Sequence, residues 1–129
     1  MAEGTYSGAF NVSNGKEIYG GFSGSEESLE QRNWVGNETI LTNPGGTVVS
    51  FVGVSGAAVL DGFTITGGNG VSGGGIYNLN GSPEITNCTI TGNEASSGGG
   101  MYNKASGRDV VANPTLTNCL FSGNQAFYG

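Results

Sequence analysis

Histidine is absent from the chain, aspartate stands only at Asp61 and Asp109, and the basic residues are four: Lys16, Arg32, Lys104 and Arg108. Without an imidazole the chain lacks the usual general base of neutral pH. Paired-carboxylate hydrolysis needs two acids about 5–10 Å apart across a cleft, and no spacing supplies such a pair. The four cations do not cluster and the net charge is −6, so nucleic acid and anionic membrane are poor partners. No apolar run approaches the roughly 18 residues of a membrane-spanning helix. Met1-Ala2-Glu3-Gly4 lacks the charged-then-apolar pattern of a secretory signal, so a signal for export would lie outside this chain. Glycine is plentiful, 26 of 129 residues, but has no period of three, which excludes collagen. Two cysteines without histidine do not make a metal site. These absences point away from an enzyme and away from any cofactor or metal.

What is present is a sentence said twice. Gly73-Gly74-Gly75-Ile76-Tyr77-Asn78 returns as Gly98-Gly99-Gly100-Met101-Tyr102-Asn103. The stretch from Ser82 to Asn93 returns as Ala112 to Asn124, carrying Asn87-Cys88-Thr89-Ile90-Thr91 onto Asn118-Cys119-Leu120-Phe121-Ser122. Extra residues enter the second unit around Gly107 to Ala112. Within each unit the apolar residues alternate, with Cys88 and Ile90 on one side and Thr89 and Thr91 on the other. Period two over short runs bounded by Asn and Gly predicts half-buried strands, and no helical apolar series competes. The runs are Gly74–Asn78, Pro83–Thr86 and Cys88–Thr91. Such short strands bury their apolar faces only by stacking unit on unit, with parallel pairing at about 4.8 Å. The prediction is an all-β fold, a parallel β-helix of roughly five turns.

Stacking predicts vertical neighbours: Ile76 on Met101, Ile85 on Leu116, Cys88 on Cys119 and Ile90 on Phe121. Asn87 over Asn118 falls at a bend, where Asn tolerates left-handed backbone and its amide can bond to the next Asn. Asp61 is read as their counterpart one turn earlier, a turn residue, and Asp109 as a solvated loop charge beside Arg108. The stacked cysteines are read as an apolar ladder of free thiols; a disulfide between adjacent parallel strands has an allowed Cα spacing but strained side chains.

The chain reads as a single domain over residues 1–129, with opening turns and an inserted loop in 1–46 and regular coils in 47–129. Ser25 to Arg32 is the one helical excursion, with Ser25 as its cap, and Trp34 packs it down. Strands are expected at Lys16–Phe22, Glu38–Leu41, Thr47–Val52 and Ala58–Leu60. Gly129 reads as the first glycine of a further triplet, so the last coil is expected to be cut there, with a similar abruptness at the start.

Gly73-Gly74-Gly75-Ile76 and Phe121-Ser122-Gly123-Asn124 resemble the GGxI and FxxN signatures of the polymorphic outer membrane protein repeat. More broadly the chain resembles the pectate-lyase-like domains of large secreted bacterial surface proteins, from Ile18-Tyr19-Gly20-Gly21-Phe22 onward, and this resemblance implies a right-handed parallel β-helix. The full FxxN pattern occurs once, since Ile65 and Ile90 stand where the others would have Phe. The resemblance implies an extracellular or cell-surface location. It says little of activity, because one fold hosts many functions.

The expected function is that of a non-enzymatic structural or adhesive segment that self-associates through uncapped ends, as a homo-oligomer or an end-to-end filament. The residues expected there are Tyr6, Phe10 and Val12 at one end and Ala126, Phe127 and Tyr128 at the other. The alternative is a carbohydrate-binding face on which Tyr77 and Tyr102 stand outward beside Asn78 and Asn103.

Overall fold

The computed structural model describes residues 1–54 and 57–128; Gly129, expected to open another triplet, lies outside the described residues. An opening pass holds β1 (Gly4–Ser7), β2 (Phe10–Val12) and β3 (Glu17–Tyr19). The first full circuit holds β4 (Thr39–Thr42), β5 (Val49–Val52) and β6 (Val59–Asp61). The second holds β7 (Thr64–Thr66), β8 (Asn69–Ser72), β9 (Ile76–Leu79) and β10 (Glu84–Thr86). The third holds β11 (Thr89–Thr91), β12 (Glu94–Ser97), β13 (Met101–Lys104) and β14 (Thr115–Thr117), and β15 (Leu120–Ser122) and β16 (Gln125–Ala126) begin another.

Every strand pairs in parallel with its counterpart one turn away, giving the sheet orders β1-β4-β7-β11-β15, β8-β12-β16, β2-β5-β9-β13 and β3-β6-β10-β14. The molecule is a parallel β-solenoid of about three turns rather than five. Dividing the length by one repeat overcounts, because residues 20–38 and 105–114 lie outside the sheets and add chain without adding a turn.

The core follows from register. Inward columns run Tyr6–Leu41–Ile65–Ile90–Phe121, Phe10–Val49–Ile76–Met101 and Ile18–Leu60–Ile85–Leu116. The middle members are sealed from solvent, and each such side chain contributes about 1.5–3 kcal/mol by leaving water. The expected stacks of Ile76 on Met101, Ile85 on Leu116 and Ile90 on Phe121 are all present. The glycine triplets lie where coils approach most closely: a Cβ on Gly75 would come 2.6 Å from the carbonyl oxygen of Gly100.

Asparagine finishes the corners. Asn87 and Asn118 sit at φ 53 and 52, and the Asn118 amide donates to Asn87 Oδ1 at 2.7 Å. A second ladder lies inside: Asn93 Nδ2 donates to Ile65 O and to Asn124 Oδ1, each at 3.0 Å, while Asn93 Oδ1 accepts from Gly68 N–H at 2.9 Å. Asn124, the final residue of the FxxN pattern, likewise donates to Ile90 O and accepts from Asn93 N–H, so both asparagines satisfy backbone groups that would otherwise be costly.

Two local expectations need correction. The excursion near 25–32 is not an α-helix capped by Ser25 but a single 3-10 turn at Leu29–Gln31, and Ser28 at its start makes no side-chain cap. Glu26 takes the backbone instead: its carboxylate accepts from the N–H groups of Ser23, Gly24 and Ser25 at 2.8, 2.9 and 3.1 Å. Hydrogen bonds from the Ser23 backbone foremost, and from the Ser23 hydroxyl and the Gly24 backbone, hold its pKa down to about 2. Asp61, read as the counterpart of Asn87, pairs with Thr86. The left-handed corner one turn above Asn87 is Gly62, at φ 86.

Candidate functional site

The two ends of the coil differ. At the first, Tyr6, Phe10 and Ile18 are half-buried and Val12 is buried. At the other, Phe121 is 42% exposed and Leu116 40%, whereas Ile90 and Ile85, one turn earlier in the same columns, are at 0%. Leu120, Phe127 and Tyr128 are more exposed still, and Ala126 is exposed beside them. The strands β13, β14, β15 and β16 each lie at the outer edge of a sheet. In a parallel edge strand every second residue turns its N–H and C=O away from the sheet. The terminal coil therefore combines unpaired backbone with apolar cross-section.

Tyr77 and Tyr102 stack on the outside, with ring centroids 5.9 Å apart and planes 8° from parallel. Asn78 and Asn103 do not share that face. Successive strand residues point to opposite sides, so Asn78 is inside, at 0% exposure. Its amide donates to Gly81 O at 2.9 Å and to Asn103 Oδ1. The Asn103 amide reaches on to Ala112 O at 2.9 Å, tying down the inserted loop. These two asparagines belong to the column below Val12 and Phe51, so neither stands beside the outward tyrosines.

A constellation missed in the sequence joins the excursion to the coil. The Arg32 guanidinium pairs with Asp61 Oδ1 at 2.9 Å, both side chains nearly covered at 9% and 13% exposure. Its Cζ stands 5.2 Å from the Tyr19 ring centroid and 4.8 Å from that of Trp34. Asp61 Oδ1 also accepts from the Asn87 amide at 3.0 Å, so the external ladder ends on this ion pair. Gly21, at φ 91, lies so close to Trp34 that a Cβ would fall 2.7 Å from its backbone. Trp34 is thereby seated by arginine stacking, in keeping with the packing role expected for it. The only available signal was a lone Arg-x-Trp; its acidic partner lies 29 residues onward and is placed by the fold.

Between Trp34, Val35 and Glu38 on one side and the corner residues Asn87, Cys88, Asn118 and Cys119 on the other runs an open groove of about 470 Å³. Glu38 accepts from the Thr64 hydroxyl at 2.9 Å. Cys88 and Cys119 are both free thiols, the first buried and the second half-buried. Asp109 stands exposed in the inserted loop at φ 57. Among the described residues no group of three or more acidic, histidine or cysteine side chains is placed to hold a metal ion. No family model, curated protein or solved structure was found to match the chain.

Proposed function

We propose that the chain is a non-enzymatic structural or adhesive segment of an exported bacterial surface protein, and that it associates head-to-tail with further copies of itself. The family resemblance of the glycine triplets and of Phe121-Ser122-Gly123-Asn124 supports the surface location. The observation that carries self-association is register. Continuing the longest sheet by one turn sets β15 against β1 of the next copy and Phe121 on its Tyr6, in the column that already runs Tyr6–Leu41–Ile65–Ile90–Phe121. Heterologous contact of this kind leaves a free end at each step and so builds open filaments.

Light scattering after size exclusion, over a wide range of protein concentration, tests this. The expected result is a mass that grows with concentration in the parent chain. F121D should stay monomeric with unchanged far-UV circular dichroism. Y77A/Y102A should associate as the parent does, because those rings lie on the outer wall. A parent chain that is monomeric throughout overturns the reading. Loss of association in Y77A/Y102A alone would move the function to the stacked tyrosines, the one outer feature that favours a flat ligand such as a sugar ring.

A further inference from the structure

Cys88 and Cys119 precede β11 and β15, and the pairing of Thr89 with Leu120 puts them one above the other on adjacent coils. Their thiols lean the same way. Cys88 Sγ lies 3.2 Å from Thr86 O, and Cys119 Sγ lies 3.4 Å from Thr117 O and 3.4 Å from Ile85 O. Cys88 is at 1% exposure, whereas Cys119 is half-buried and lines the groove with Asn118 and Leu120. Both thiols border the groove, but only that of Cys119 is open to solvent.

Geometry sets the character of any bond between them. Parallel neighbours have Cα atoms about 4.8 Å apart, inside the roughly 4.4–6.8 Å that disulfides tolerate. Their Cβ vectors run side by side, which holds the Cβ atoms near that same spacing, beyond the 3.5–4.5 Å or so of a relaxed disulfide. A bond closes only if Cys119 leans toward Cys88. Cys119 stands just before the edge strand β15, with no coil beyond it among the described residues, so it has room to lean. Strain makes such a bond easily reduced, which is the mark of a labile disulfide rather than a staple.

We propose that Cys119 and Cys88 are a redox-active thiol pair that reacts with small-molecule disulfides of the glutathione class and closes a readily reduced cross-link between adjacent coils. Cys119 is the attacking sulfur and Cys88 the resolving one. The neighbouring Cys88 thiol lowers the pKa of Cys119, while the Cys119 side chain and burial raise that of Cys88. In the first step Cys119 thiolate attacks one sulfur of the small disulfide; its S–S bond breaks and one thiolate leaves. In the second, Cys88 gives up its proton and attacks Cys119 Sγ; the mixed disulfide breaks and the second small thiol departs. The protein loses two electrons and two protons, and the small disulfide gains both as two thiols.

The test is to incubate the reduced chain at low concentration with oxidised glutathione, quench with acid, alkylate and weigh the intact protein. The expected product has lost both alkylatable thiols, retains no glutathione and is restored by brief dithiothreitol. C88A should stop at one glutathione on Cys119, and C119A should remain unmodified. C88S serves in place of C88A should circular dichroism show that the latter has not folded. A lasting glutathione adduct in the parent chain, a Cys119-to-Cys119 dimer, or two unreacted thiols in a folded protein would each overturn the proposal.

Discussion

Asn87 does three jobs with one side chain. It accepts φ 53, donates to Asp61 Oδ1 at 3.0 Å and accepts from the Asn118 amide at 2.7 Å. Left-handed backbone costs an ordinary residue about 1–2 kcal/mol, and each hydrogen bond contributes about 1 kcal/mol net. The same corner is glycine in the coil above, at Gly62, so backbone and ladder can be separated. Asn87→Gly is expected to lose only the ladder bonds, about 2 kcal/mol. Asn87→Ala should lose about 1 kcal/mol more, because alanine must also bear the backbone strain. Urea unfolding followed by circular dichroism measures both. Equal losses in the two variants would show that the corner conformation is not what selects asparagine here. The ladder was legible because the repeat displays it: Asn87 and Asn118 are visibly equivalent. The third corner was misread by one residue, since Asp61 resembles Asn chemically but Gly62 supplies the conformation.

At the scale of elements, the regular strands were readable and the irregular ones were not. Alternation marked β7, β10 and β11 because their inward residues, Ile65, Ile85 and Ile90, are large. The sheet β8-β12-β16 escaped because its inward positions are Gly70, Ala95 and Ala126, too small to announce a period. Residues 25–32 carried the composition of a helix start, yet no apolar face held them in one, and a segment so short is marginal alone. What holds the excursion is the Arg32–Asp61 pair between the rings of Tyr19 and Trp34. Removing one partner of a covered ion pair leaves an uncompensated charge, at about 3–5 kcal/mol when fully buried. Exposure near a tenth puts Arg32→Ala at the lower end, about 3 kcal/mol. Arg32→Lys should recover only part, since lysine lacks the planar fork that stacks and pairs. R32A/D61N should be more stable than R32A, because no unpaired carboxylate remains. Limited proteolysis locates the effect: R32A is expected to be cut within 23–32 while the coil from β4 onward persists. Cleavage spread evenly over the chain would mean that the pair supports the coil and not the excursion.

The whole molecule is a column with lateral walls and two unlike ends, so its large-scale properties belong to the ends. One wall carries the stacked tyrosines and another corner the groove beside Trp34, but the exposed apolar cross-section lies at Leu116, Leu120 and Phe121. Head-to-tail pairing sets Leu120 opposite Thr5 of the next copy, and the preceding residue, Cys119, then faces its Gly4. Association and thiol access are thereby coupled: a bound copy covers the sulfur that is open in the monomer. In fully reduced protein, the rate of Cys119 alkylation should fall as concentration rises. It should reach about half its dilute value where half of the ends are occupied, by simple mass action. F121D, unable to associate, should keep the dilute rate at every concentration. Alkylation that ignores concentration while light scattering reports growth would mean that copies meet through a side wall, and the register argument would fail although self-association stood.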